Sequence, residues 1–237
     1  EANSLYNFEK IDRFEYNLIA HYPFNNNAND ASNSGNDGTV NGPILTDDRF
    51  GYTKSAYQFD GIDDFIDLSQ SLPIGSTDNT ISMWVKIPEV GQGLNSGERV
   101  GILIGNFPNS PNSNWEINQG EVRIWWNNGH FQANGASDLK DNKWHHLAFV
   151  RDTLQNKFIV YIDGNIELIK DTAGSDIIFD TFHRIGGDYR DGTGGPNFHG
   201  KIDDIRIYDK TLVESEIKSL YEIERPNHFP ETISGLA

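Results

Sequence analysis

In the stretch GKIDDIRIYDK, residues 200–210, strand alternation places Lys201, Asp203, Ile205 and Ile207 on one face. Ile202, Asp204, Arg206 and Tyr208 take the other. Asp203 then stands in line with two isoleucines. An unpaired buried carboxylate is too costly to keep, so it must shift its pKa, gather donors or bind a cation. A second set of residues suits a sugar. In EVRIWW, residues 121–126, Val122, Ile124 and Trp126 alternate inward, which turns Arg123 and Trp125 outward. In NWEINQG, residues 114–120, Trp115 and Ile117 point in while Glu116 and Asn118 point out. An aromatic ring stacks on the C–H face of a pyranose, and planar polar groups take its hydroxyls. The opposite parity, with Trp125 under a loop and Trp126 exposed, stays open. Two long Gly-rich loops, residues 89–101 and 186–200, either rim that face with Arg99, Tyr189 and Arg190 or are solvated turns.

The elements that must position these residues are short strands. TISMWVKI (80–87), EVRIWW, HHLAFVR (145–151) and KFIVYIDGNIELI (157–169) are separated by Gly, Asn and Asp clusters. Asp163-Gly164 between two alternating runs is a hairpin signal. The helical period appears late, over residues 211–222, with Thr211 and Glu214 spaced as a capping box. Many short strands and one short helix of two or three turns predict an all-β, two-sheet antiparallel β-sandwich, or jelly roll. Residues 1–17 and 223–237 read as an N-terminal extension and a C-terminal tail around a domain spanning 18–222.

Composition narrows the function. With 19 basic and 35 acidic residues the formal charge is −16. Nucleic acid and anionic membranes are excluded as partners, because both need Lys/Arg clusters that this chain lacks. The 28 aromatics (Phe 14, Tyr 9, Trp 5) are far too many for a disordered chain. Cysteine is absent, which removes disulfides, zinc–thiolate sites and a Cys nucleophile. No apolar run reaches membrane-spanning length.

Six segments stand in order: LIAHYPFNNNANDASNSGNDGTVNG (18–42), SAYQFDGIDDFIDL (55–68), TISMWVKI, KWHHLAFVRD (143–152), VYIDGN (160–165) and FHGKIDDIRIYDKTL (198–212). Together they closely resemble the laminin-G-like, concanavalin A-like jelly-roll superfamily over residues 18–222. In many relatives one calcium ion ties the first strands to the last, and the family's aspartate matches Asp203. The resemblance therefore implies a structural Ca2+ held by Asp203 with Asn25, Asn27 and Asp30, from the Asx-rich loop, and with the Gly61 carbonyl. Turn-making alone also accounts for that loop. The family usually places Ser or Thr at position 213, where this chain has Val.

The fold hosts lectins, adhesion modules, hydrolases and lyases. The alternating acids of a retaining hydrolase strand are missing, and DGIDDFID (60–67) matches the family's ordinary second motif. Lyase ingredients exist in Arg99, Arg123, His130, Tyr189, Arg190 and His199, without a lyase motif. His146 and Trp84 read as structural. The expectation is a secreted or cell-surface, calcium-stabilised carbohydrate-binding module of a larger protein, leaning away from an enzyme. Its site would be Arg99, Glu116, Arg123, Trp125, Tyr189 and Arg190, with acidic polysaccharides preferred because arginine forks match carboxylate and sulfate. A polysaccharide lyase or glycoside hydrolase and a protein-binding adhesion module are the alternatives.

Overall fold

A computed structural model describes residues 14–72, 77–89, 101–105, 114–126, 131–173, 182–187 and 197–226. The alternating runs fold as an eight-stranded and a seven-stranded sheet, both antiparallel. The first sheet runs β13 (Asn165–Asp171), β12 (Lys157–Ile162), β11 (Trp144–Asp152), β6 (Asn79–Lys86), β15 (His199–Tyr208), β4 (Ala56–Asp60) and β3 (Ile44–Thr46). β1 (Leu18–Tyr22) joins the second half of β15, where β4 has ended. The second sheet runs β10 (Phe131–Asn134), β9 (Glu121–Trp126), β8 (Asn114–Asn118), β7 (Gly101–Gly105), β14 (Phe182–Ile185), β5 (Phe65–Leu72) and β2 (Gly38–Asn41).

The inner faces interdigitate as alternation requires. Ile81, Met83, Val85, Leu147 and Phe149 meet Ile66, Trp115, Ile117, Val122, Ile124 and Ile185 in one core. Trp115 is its keystone, with its ring centroid 4.5 Å from that of Phe149 and 5.6 Å from that of Phe158. The β12–β13 hairpin forms as expected, with φ of 50° at Asp163 and 75° at Gly164, the left-handed pair that a two-residue hairpin needs.

A helix, α1 (Glu214–Glu224), covers part of the outer face of the first sheet. Ile217 and Leu220 recur on one side of it and pack on Tyr208, Ala148, Val150 and Tyr161. Its start differs from the expected Thr211–Glu214 capping box. Val213 is the N-cap and offers no side-chain acceptor, so only half a box forms, with Glu216 Oε2 accepting the Val213 N–H at 2.9 Å. Thr211 instead donates to the Arg151 carbonyl at 2.9 Å. Phe14 is buried in the cluster beneath α1, and Glu224 is buried among charged partners. Among the described residues no helix is long and apolar enough to cross a membrane.

Candidate functional site

Asp203 does not share a face with Ile205 and Ile207. Along β15, Asp203 pairs with Trp84 and Arg206 with Ser82, so β15 carries one extra residue between these pairs. This is a bulge, and Asp204 makes it with a left-handed φ of 48°. The bulge resets the alternation. Ile202, Ile205 and Ile207 all reach the core, while Asp203, Asp204 and Arg206 lie on the outer face among side chains under α1.

There the carboxylates meet Arg49, from the loop between β3 and β4. Arg49 Nη1 donates to Asp203 Oδ2, Nη2 donates to Asp204 Oδ2 at 2.8 Å, and Nε donates to the Glu224 carbonyl at 2.8 Å. The guanidinium lies over the Trp84 ring, 5.1 Å from its centroid. Trp84 Nε1 donates to Glu224 Oε2 at 3.0 Å, and Arg206 Nε stands 2.7 Å from Glu224 Oε1. His21 Nε2 and Asp204 Oδ1 are 2.8 Å apart. Burial pushes the Asp203 carboxyl up to about 7, against the pull of Arg49. Burial also works to raise Asp204, but Arg206, the His21 bond and Arg49 outweigh it and hold that carboxyl well below the usual carboxylate range.

The expected calcium ligands are engaged elsewhere. Asp30 Oδ1 accepts the amides of His21 (2.9 Å) and Ser32 (2.8 Å), and Oδ2 accepts the amide of Asn36 (3.0 Å). Asn27 Oδ1 accepts the Asn29 amide at 2.8 Å, and the Asn25 carbonyl takes Asn27 Nδ2 at 3.4 Å. Asp203 lies with Arg49. As arranged, the Asp203 carboxylate is taken up by the Arg49 guanidinium and that of Asp30 by three backbone amides, which is a poor fit to a shared calcium ion. Protein groups tie the first strand to the last, from Asp30 to His21 to Asp204. Gly61 lies instead in the turn of Asp60, Asp63 and Asp64, whose oxygens come within 4.8 Å of one another.

The outer face of the second sheet carries the other candidates. Ile117, Val122 and Ile124 are in the core, so Glu116 and Arg123, registered opposite each other, are outward. They form an ion pair and are both buried. On neighbouring strands of the same face, Arg184 grips Asp67 with Nε (2.8 Å) and Nη2 (3.3 Å). Its guanidinium rests 3.6 Å from the Phe65 ring centroid. Arg184 was not singled out in the sequence, although its alternation with the core residue Ile185 marks it as outward. Of Trp125 only the backbone is described, registered opposite Asn114 and Gln132. Arg99, Tyr189, Arg190 and His130 lie outside the described residues. The segments bearing Arg99 and Tyr189–Arg190 do leave from one end of the sheet. Arg99 precedes Gly101 of β7, whose partner is Ile117, and Tyr189 follows Gly186, whose amide bonds the Leu103 carbonyl at 2.9 Å. That end is also the end of the Glu116–Arg123 pair.

A family profile of laminin-G type, described as the concanavalin A-like lectin/glucanases superfamily, matches residues 60–218. The fold is similar to the binding domain of Paraclostridial Mosquitocidal Protein 1 (TM-score 0.72, 17% identity, 89% of this chain and 53% of that one). It is similar to the Botulinum neurotoxin serotype D ligand binding domain in complex with N-acetylneuraminic acid (TM-score 0.69, 18% identity, 91% of this chain and 53% of that one). It is also similar to domain 4 of AbnA, a GH43 extracellular arabinanase from Geobacillus stearothermophilus, in complex with arabinotriose (TM-score 0.66, 23% identity, 86% of this chain and 98% of that one). At these identities the likeness is one of fold. The chain spans about half the length of the two toxin domains and nearly all of the arabinanase domain. None of the curated proteins matches the chain in sequence.

Proposed function

The chain belongs to the concanavalin A-like lectin/glucanases superfamily, and from that premise we propose that it is a carbohydrate-binding module of a larger exported protein. Its glycan lies on the outer face of the seven-stranded sheet. The observation that carries this reading is the pair of guanidiniums laid along that face, Arg123 with Glu116 and Arg184 with Asp67. Each guanidinium is held by its carboxylate, so the face is organised around two ordered ion pairs before any ligand arrives. Trp125 supplies the stacking surface, and Arg99, Tyr189 and Arg190 close the rim at the end where their segments attach. Acidic polysaccharides, uronic or sulfated, are the preferred class. Two of the similar solved domains were captured with sugars, one of them acidic, which agrees with this reading.

Glu116 and Asp67 are both committed to guanidiniums, an arrangement for binding more than for a hydrolytic carboxylate pair. The test is Trp125→Ala, measured by calorimetry against polygalacturonate, dextran sulfate, arabinan and sialyllactose, with the thermal midpoint recorded alongside. The expected result is weakened binding with an unchanged midpoint. A loss of about 3–5 kcal/mol of stability, the cost of deleting a core Trp, would place Trp125 inside and overturn the site. Steady release of reducing ends or unsaturated products from any of these polymers would overturn the non-enzymatic reading.

A further inference from the structure

On the opposite side of the sandwich, one row crosses the outer face of the first sheet. Trp144 pairs with Lys86, Lys86 with Lys201, Lys201 with Gln58, and Gln58 with Ile44. Val85 and Ile202, next to the two lysines, are in the core, so the lysines face outward. Like charges directly opposite each other on adjacent strands destabilise a sheet. This chain has 35 acidic residues with which to relieve such a clash, yet neither ammonium uses one. Lys140, Lys143, Lys210 and Lys218 each pair with a carboxylate. Lys201 Nζ donates only to Thr46 Oγ1, at 2.9 Å, and Lys86 makes no side-chain bond to another described residue.

The two ammoniums flank a pocket of about 80 Å³, whose lining includes His199, Gln58, Asn142 and Pro88. Gly200 also lines it, where β15 comes so close to β6 that a Cβ would lie 2.6 Å from the Lys86 carbonyl oxygen. The pocket is small beside the roughly 300–1,000 Å³ that encloses a whole ligand. Its volume and donors suit one charged substituent of a longer chain. Partial burial and the neighbouring Lys86 lower the Lys201 pKa against the opposing pull of Asp47.

We infer that this pocket is a second binding site, which takes the carboxylate or sulfate group of an acidic polysaccharide between Lys86 and Lys201. Gln58 and Asn142 serve the flanking hydroxyls, and the half-buried Trp144 lies next in the row as an apolar platform. The inference uses none of the residues of the proposed glycan face, and it stands or falls apart from that face.

The experiment titrates the whole protein, at physiological ionic strength, with dextran sulfate, polygalacturonate and unsubstituted dextran. The screening length of about 8 Å there damps repulsion from the acidic surface but not direct contact. The double variant Lys86→Met/Lys201→Met is expected to weaken binding to at least one acidic polymer by roughly tenfold, with a thermal midpoint at or above wild type, because a like-charge pair is gone. The polymer that loses affinity identifies sulfate or carboxylate as the occupant. Lys86→Met alone, at a side chain that braces nothing, is expected to show part of the loss, and it serves if the double variant is destabilised. In a Trp125→Ala background the same lysine-dependent loss is expected to persist. Wild-type affinity of the double variant for both acidic polymers, or no binding of either polymer by wild type, would overturn the inference.

Discussion

At Asp204 the backbone enters a left-handed conformation that few side chains tolerate, and Asp is one of them. Asp204 has more at stake than its neighbour. It faces His21, Arg49 and Arg206, whereas Asp203 is bonded to Arg49 alone. Replacing Asp204 with Asn, which keeps the backbone preference, is expected to cost about 3–5 kcal/mol, because charged partners remain buried without compensation. Asp203→Asn is expected to cost about 2 kcal/mol. Urea denaturation gives both values, and both are expected to be the same in EDTA and in calcium. A penalty at Asp203 that appears only with calcium present would return that residue to a metal. Alternation read along the sequence ranks the two aspartates the other way. It has no means of registering an inserted residue, and Arg49, 154 positions from Asp203, sits in a loop with no periodicity to mark it.

Among the elements, strands were the most readable part of the chain. Period-two alternation is a property of each run by itself, so β6, β8, β9, β11 and β12 emerge as strands, and Trp115, Ile117, Val122 and Ile124 are correctly read as inward. The hairpin at Asp163-Gly164 is likewise local. The helix start was misplaced because a Thr and a Glu at capping-box spacing are no guarantee of a cap. Thr211 is drawn instead to a β11 carbonyl that is distant in sequence. This leaves α1 with an unfilled N-terminus that can be improved. Val213 is exposed, with extended cap geometry, and its only capping contact is the Glu216 carboxylate on its own amide. Val213→Ser supplies the missing acceptor and is expected to add about 1 kcal/mol. The check is a denaturant midpoint; no gain would mean that the cap geometry differs from that described.

For the molecule as a whole, acid stability is a balance of opposed groups. His146 is fully buried against Trp84 and Tyr221; neither ring nitrogen makes a hydrogen bond to a described residue, and Glu224 Oε2 lies 3.9 Å from Nε2. Burial pushes its pKa down to about 3. Below its ordinary pKa near 6.5 the unfolded chain takes up a proton that the native chain refuses, so this group lowers stability as pH falls from about 6.5 toward 3. Asp203, with its carboxyl raised to about 7, acts in the opposite sense, because between about 4 and 7 the native chain keeps a proton that the unfolded chain releases. His146→Leu removes the first effect alone. Relative to wild type, the variant is expected to become more stable by about 1.4 kcal/mol for each pH unit below 6. Parallel curves for the two proteins would show that His146 titrates normally in the fold.

Arg49 gives the whole molecule one more property. The positive charge between the two aspartates of β15 is tethered to the chain, so its local concentration is set by a short loop and not by the surrounding fluid. It cannot be diluted, competed away or stripped by a polyanion that sequesters divalent ions. A domain whose last strand is joined to its β3–β4 loop and to α1 by its own arginine carries that joint with it into any ionic medium.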